Sequence, residues 1–260
     1  MNIDLTGKKA LVGGASGGLG KAIATQLAAS GAQVTLMARN REKLEAARNE
    51  LSVVQGQQHE VLVADFAATS FRSTVQGWLA KNNVDILVNN TNGPAAGGVL
   101  QKSPDDYQQA FDLLFQTVCS TTLAALPHMQ QQGWGRIINV VSLTVREPVA
   151  HLALSNTVRA SIIAWGKTLS NEVAAQGITV NNILTGYFDT ERLRSLMEGQ
   201  AAAARKPVAE IKASMIERIP AKRLGRPEEY GQLATFLASD QAAYVNGVSI
   251  PIDGGLIRGI

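Results

Sequence analysis

Leu11-Val12-Gly13-Gly14-Ala15-Ser16-Gly17-Gly18-Leu19-Gly20 is a short apolar strand running into a glycine-rich turn. Ala10, Leu11 and Val12 form the strand after the basic pair Lys8-Lys9, and Leu19, Ile23 and Leu27 recur every fourth residue, which predicts a helix. Glycine meets two demands in such a turn: backbone angles that side chains resist, and close approach of the backbone to a ligand. The helix aims free N–H groups and the positive end of its dipole at the turn, making an anion site whose usual occupant is a pyrophosphate. A tight turn without a ligand would use the same glycines. The preceding strand, the following helix and a second strand at 33–37, ending in Ala38-Arg39-Asn40, argue for the binding site.

The end of that second strand is where a dinucleotide fold tests the adenine ribose. An acidic residue would bind a 2′-hydroxyl, whereas Arg39 suits a 2′-phosphate through two charge-assisted hydrogen bonds. NADP(H) is therefore expected in preference to NAD(H), with Gly14, Ser16, Gly17, Gly18, Leu19 and Gly20 around the pyrophosphate and Arg39 and Asn40 at the ribose. The plain alternative is a solvated arginine opening the helix at 41–51.

The 260 residues suffice for one large α/β domain. A content of 45% apolar and 17% charged residues is ordinary for a globular domain, and a net charge of +3 is too small to argue for nucleic-acid or membrane partners. A single cysteine, Cys119, excludes an intramolecular disulfide and argues against a cysteine-rich metal site; no metal is expected. No apolar run approaches the ~18 residues of a membrane span. Met1-Asn2-Ile3-Asp4-Leu5 lacks the basic and apolar regions of a signal peptide, so a cytoplasmic protein is the expectation.

Strands and helices alternate along the chain. Further strands are predicted at 60–64, 85–88, 136–141, 178–184 and 248–252, and helices near 70–80, 104–131, 152–175 and after Pro227. Near-continuous apolar strands between amphipathic helices predict a seven-stranded parallel sheet covered on both faces, a doubly wound α/β fold in one domain over 1–260. Residues 186–226 break the rhythm with a helical insertion above the carboxyl ends of the strands, where ligands bind in such sheets. It reads as a substrate lid over about 187–226, or as a fixed pair of capping helices.

With these motifs in place, the whole chain resembles the short-chain dehydrogenase/reductases, in particular members like the 3-oxoacyl-acyl-carrier-protein reductases. The family's T-G-x3-G-x-G is matched by Gly14, Gly18 and Gly20, with Gly13 replacing the threonine. Its acidic residue after the third strand is Asp65, followed by Phe66, and its N-N-A-G stands as Asn89-Asn90-Thr91-Asn92. Its serine after the fifth strand is Ser142; its P-G-x3-T is Thr185-Gly186-Tyr187-Phe188-Asp189-Thr190; its D-G-G is Asp253-Gly254-Gly255. The resemblance implies a Rossmann-type fold and a cofactor site that includes Asp65, Phe66, Asn90, Thr91, Asn92, Thr185, Gly186, Phe188 and Thr190. It also implies subunit pairing, as a tetramer or dimer, through the two long helices, with Leu256-Ile257-Arg258-Gly259-Ile260 as a further contact.

The catalytic positions depart from the family. Its Y-x3-K lies thirteen residues after the serine, where this chain has Ser155 and then Arg159, and its structural asparagine is replaced by Leu114. Residues 155, 159, 162, 166, 169 and 173 share one helix face, so Ser155 and Arg159 begin a stripe that otherwise faces the core. A buried guanidinium needs partners; a cofactor ribose and strand-end carbonyls would supply them. A serine hydroxyl has too high a pKa to replace the tyrosine acid directly, and arginine does not give up a proton. Three groups are candidate replacements: Tyr187, His151, which could titrate near neutral pH, and water relayed by Ser142 and Ser155. Each side chain also has a plain reading, as pocket lining or an exposed loop residue. Arg146 is a candidate for an anionic substrate, or merely solvated.

Three functions follow. The first is an NADP(H)-dependent oxidoreductase acting on a carbonyl or conjugated enone of a small-molecule or acyl substrate. The second is a cofactor-binding or scaffold protein without turnover. The third is an isomerase or dehydratase on the same fold. The first is preferred, because the cofactor cradle and Ser142 are both present.

Overall fold

The computed structural model describes residues 3–259. The readings placed on Met1, Asn2 and Ile260 lie outside the described residues.

Seven strands form one parallel sheet: β1 (Lys9–Gly13), β2 (Gln33–Ala38), β3 (Glu60–Val63), β4 (Ile86–Asn89), β5 (Gly135–Ser142), β6 (Ile178–Thr185) and β7 (Ser249–Ile252). Their order is β3-β2-β1-β4-β5-β6-β7. Strand boundaries fall within about a residue of the expected ones, inside the usual scatter of such assignments. The central strands are buried along their length, as expected where helices cover both faces. On one face, α1 (Gly18–Ala29), α2 (Arg41–Asn49) and α9 (Pro227–Leu237) bury Ile23, Leu27, Leu44 and Ala234 against β1, β2 and β4. On the other, α3 (Phe71–Leu79), α5 (Thr117–Gln132) and α6 (Ala153–Val173) pack Val75, Met129, Leu169 and Val173 against Leu11, Leu87, Ile137 and Val180. The order reverses between β1 and β4, and the crevice outside the carboxyl ends of these strands is where such sheets bind ligands.

Two features were not foreseen. The long helix expected at 104–131 is divided. Its first part, α4 (Pro104–Phe111), is capped by Ser103 and ends in a π-helical turn at Asp112–Gln116 before α5 begins. The Thr117 hydroxyl donates to the Asp112 carbonyl, five residues back, at 3.1 Å, and Leu114 is fully buried within this turn. Such turns release backbone groups from regular pairing, and apolar periodicity does not reveal them.

The second is an amide ladder across the sheet. Asn89 Nδ2 donates to Thr122 Oγ1 and Asn139 Oδ1, both at 2.9 Å; Asn139 Nδ2 donates to Asn182 Oδ1 at 3.0 Å; Asn182 Nδ2 donates to Ser249 Oγ at 3.2 Å. The three asparagines and Ser249 are register partners on adjacent strands, so their side chains share one face, and Thr122 meets them from α5. Gly166 of α6 lies over them: a Cβ there would stand 3.3 Å from Asn139 Nδ2 and 3.4 Å from Asn182 Oδ1.

After β6 the chain forms α7 (Glu191–Ala204) and α8 (Val208–Arg218), separated by Arg205 at φ 52° and by Pro207. The pair has its own core of Leu193, Met197, Met215, Ile219 and Leu224. Among the described residues no helix is long and apolar enough to cross a membrane.

Candidate functional site

The glycine turn bends as its sequence demands. Gly14 and Gly18 have φ of 59° and 54°, the left-handed region that residues with a Cβ avoid. A Cβ on Gly20 would lie 2.3 Å from the Gly14 carbonyl oxygen, so the first turn of α1 can press against the loop only with glycine there. A Cβ on Gly17 would meet nothing within 4 Å, leaving the N-terminus of α1 facing open space. Asn90 closes the other side: its Nδ2 donates to the Gly13 carbonyl at 3.0 Å. This is a cradle with a free helix N-terminus, and its residues fit a dinucleotide pyrophosphate.

At the end of β2, Arg39 is exposed and its guanidinium has no hydrogen bond or ion pair among the described residues. Asn40 serves the fold, because its Oδ1 accepts from Lys43 N at 2.8 Å and caps α2. Asp65 is part-exposed, with one carboxylate oxygen accepting from Ala67 N at 3.0 Å. Two expected cofactor residues turn their side chains elsewhere. Phe66 is buried in the core, with its ring 5.2 Å from that of Phe71. Phe188 is buried edge-on to Tyr230, with centroids also 5.2 Å apart. Both are large apolar rings beside a core that can take them, so only their main chains are left to meet a ligand. Thr91 and Asn92 lie on the loop after β4, and Leu19 packs partly against the core. Thr190 caps α7 by accepting from Leu193 N at 3.3 Å, and it reaches the glycine turn, 3.6 Å from where a Cβ of Gly18 would stand. Gly186 is pressed against Asp253, whose Cα is 2.6 Å from the position of a Gly186 Cβ.

Ser142 ends β5. Its oxygen accepts from Thr144 N at 3.2 Å and from Thr144 Oγ1 at 3.0 Å, so its own proton remains free to donate. The face of α6 is as expected: Arg159, Ile162, Gly166, Leu169 and Val173 are buried and Ser155 is half-buried. Arg159 Nη1 donates to the Val140 carbonyl at 2.9 Å. Burial lowers the Arg159 guanidinium to about 10; the Tyr230 phenol opposes this, and Arg192 adds to it.

The other candidates make the following contacts. Tyr187 packs against the α7–α8 core and lines a cavity of about 270 Å³ with Ala221, Arg223 and Asp253. Among the described residues no hydrogen bond joins it to Ser142 or Ser155. His151 is exposed, with Nε2 3.2 Å from Gln200 Nε2 of α7. Arg146 donates to the Ser249 carbonyl at 3.3 Å, a tie to the edge strand.

Two residues escaped the sequence reading. Tyr230 is wholly buried, with its hydroxyl 2.9 Å from Thr185 Oγ1; burial holds the phenol well above its ordinary range, so it stays neutral. Arg192 of α7 reaches the loop after β4, with Nη2 3.2 Å from where a Cβ of Gly93 would stand. Its place after the Thr190 motif was the only available signal.

An open parallel sheet with a glycine-rich anion cradle at its switch point defines a dinucleotide-binding α/β protein. A family model described as Enoyl-(Acyl carrier protein) reductase matches residues 14–257. The 3-oxoacyl-[acyl-carrier-protein] reductase FabG of Chlamydia pneumoniae is 31% identical over 257 residues, 98% of this chain and 99% of its own. FabG of Escherichia coli (strain K12) is 31% identical over 255 residues, again 98% and 99%. L-sorbose reductase from Gluconobacter frateurii, solved with NADPH and L-sorbose, superposes with a TM-score of 0.93 at 27% identity over 100% of both chains. The chain belongs to the short-chain dehydrogenase/reductase family of oxidoreductases.

Proposed function

We propose that the protein is an NADP(H)-dependent reductase acting on a carbonyl or conjugated enone of a small-molecule or acyl substrate, with a rebuilt proton-donor site. The observation that carries this reading is Arg39, an unpaired guanidinium at the end of β2 on the same sheet edge as the Gly14–Gly20 cradle. The NADPH bound by the sorbose reductase supports the same choice of cofactor. The cradle and the N-terminus of α1, with Asn90 and Thr190 against the glycine turn, would hold the pyrophosphate, Arg39 the 2′-phosphate, and Arg159 the nicotinamide end. Bound there, the nicotinamide supplies or accepts hydride.

Ser142 directs its free proton at the substrate oxygen and supports negative charge as it develops. Arg159 holds ribose through its fork and does not act as the acid. The ring of Tyr187 packs against the α7–α8 core and that of His151 is engaged by Gln200, which favours water ordered by Ser142 and Ser155 as the proton source. The α7–α8 pair is read as a lid over residues 187–226. Homo-oligomer formation through α4–α5 and α6 is supported by the exposed Leu123 on α5. The cytoplasm is the compartment this reading assigns, in keeping with the single, unbridged cysteine.

The test is a fluorescence titration with NADPH and NADH. NADPH binds at least tenfold more tightly, Arg39→Asp removes the preference, and Ser142→Ala lowers turnover of the best ketone or enone at least a hundredfold. Binding of neither nucleotide would overturn the reading.

A further inference from the structure

An exposed guanidinium stands beside the loop after β4 with no hydrogen bond or ion pair to neutralise it among the described residues. Arg192 is the second residue of α7, and its Nη2 lies 3.2 Å from where a Cβ of Gly93 would stand, so the side chain spans from the α7–α8 pair to the loop after β4. The same helix comes near the cleft twice more, at its cap, where Thr190 lies 3.6 Å from where a Cβ of Gly18 would stand, and at Gln200, which meets His151. Arg194, two residues on, is satisfied by Asp189, with Nη2 and Nε at 3.0 and 3.1 Å from one carboxylate oxygen. Arg192 has no hydrogen bond or ion pair among the described residues, not even with the adjacent Glu191.

The second cation at this end is Arg159. It is held by the Val140 carbonyl and faces no carboxylate. Arg192, exposed to solvent, adds positive charge at the buried Arg159, so this end of the cleft carries two cations and favours an anion. The pyrophosphate end of the cleft is already defined by the N-terminus of α1, with Thr190 against it. Gly93 lies on the other side. From there the loop runs to the bridge between Gly97 and Leu152, which leads into α6 one turn before Ser155. Arg192 therefore stands on the side of the cleft left for substrate.

We propose that Arg192 binds a carboxylate on the substrate, which makes the preferred substrate an oxo acid or enoic acid rather than a neutral ketone. A planar guanidinium takes a carboxylate through paired charge-assisted hydrogen bonds. α7 carries that arginine to the cleft, so the helix pair closes best on an acid. The proposal rests on the reading of the cleft as an NADP(H)-dependent reductase site.

The experiment compares oxo acids and enoic acids with their methyl esters, in turnover with NADPH and in calorimetric binding to the NADP⁺ complex. The acids are favoured over the esters by roughly tenfold to a hundredfold, in kcat/KM or in Kd, as expected for hydrogen bonds to a charged group. Arg192→Leu removes that ratio, Arg192→Lys restores part of it, and Arg194→Leu leaves it unchanged. Calorimetry decides the matter even if no compound in the panel turns over. NADPH binding with an acid-to-ester ratio near one overturns this inference and leaves the cofactor reading standing. So does an Arg192→Leu variant that weakens NADPH itself while keeping the ratio, because the arginine then serves the pyrophosphate. Failure of NADPH to bind at all overturns the functional reading instead.

Discussion

Arg159 Nη1 lies 2.9 Å from the Val140 carbonyl oxygen, tying the start of α6 to the end of β5 through a guanidinium that burial has stripped of water. Its pKa falls from 12.5 to about 10, so the guanidinium stays charged at neutral pH but is held less favourably than in the unfolded chain. For a base with a lowered pKa, the penalty is complete at every pH below about 10 and is relieved only as pH rises from there towards 12.5. At neutral pH it is a standing cost on the order of 3 kcal/mol. Arg159→Met, of similar length and apolar, is expected to raise the melting temperature by several degrees. It should also weaken NADPH at least tenfold. Thermal unfolding with and without NADPH checks both, and a less stable variant would show that the guanidinium serves the fold instead.

Glu229, in the first turn of α9, gives the opposite pH behaviour. It accepts from Arg223 Nη1 and Nη2 at 2.8 and 2.7 Å, and from Arg226 N at 2.8 Å. The Arg223 hydrogen bonds, then the Arg226 backbone bond, lower its carboxyl from 4.5 to about 2. For an acid with a lowered pKa, the stability it contributes is whole above about 4.5 and lost as pH falls from there through about 2. Glu229→Gln is therefore expected to melt lower than wild type at neutral pH, with the two curves converging in that acid window. Partial exposure and salt screening keep the effect small, so added salt should shrink it. Thermal unfolding across pH at low and high salt measures it.

Much of the fold was legible because apolar runs and glycine turns report it directly. Leu11, Leu87, Ile137 and Val180 sit in strands whose composition admits no other place, and the α6 stripe from Ser155 to Val173 follows from helix geometry alone. What stayed hidden depends on where a side chain turns after the backbone is set. Phe66 and Phe188 follow motif positions but rotate into the core, where their rings find Phe71 and Tyr230. Asn40 caps a helix, which any asparagine before an amphipathic run can do. The π-helical turn at Asp112–Gln116 contains no glycine or proline that would announce it. The asparagines of the ladder read as polar interruptions of separate strands until the register places them side by side.

That ladder carries its own prediction. Asn139 donates to Asn182 and accepts from Asn89, so it is the joint of the chain. Asn139→Leu leaves the Asn182 oxygen unpaired and deprives Asn89 of one acceptor, both in a buried setting. The expected loss is about 2–4 kcal/mol, more than one hydrogen bond is worth, because stranded polar groups keep their desolvation cost. Urea unfolding should show a lower midpoint with an unchanged slope. A loss below about 0.5 kcal/mol would mean that the ladder relaxes around the change.

The last prediction separates a working, altered active site from a binding site that no longer turns over. Leu114 is wholly buried among Val118, Leu154 and Val158, where the family places an asparagine, and Ser155 is half-buried where it places a tyrosine. Leu114 lies within the π-helical turn, where the backbone departs from regular helical pairing. The triple variant Leu114→Asn, Ser155→Tyr, Arg159→Lys supplies a phenol, an ammonium that lowers its pKa, and an amide beside them. It is expected to reduce simple ketones with NADPH at least tenfold faster than wild type. Wild type should outperform it on the acid substrates, if its serine, arginine and water set is the working one. A wild type silent on every acid, ketone and enone, beside an active variant, would instead identify a protein that keeps the cradle for binding. Steady-state NADPH oxidation by both proteins on one substrate panel decides between the two, and the protection of each against thermal unfolding by NADPH confirms that both cradles are intact.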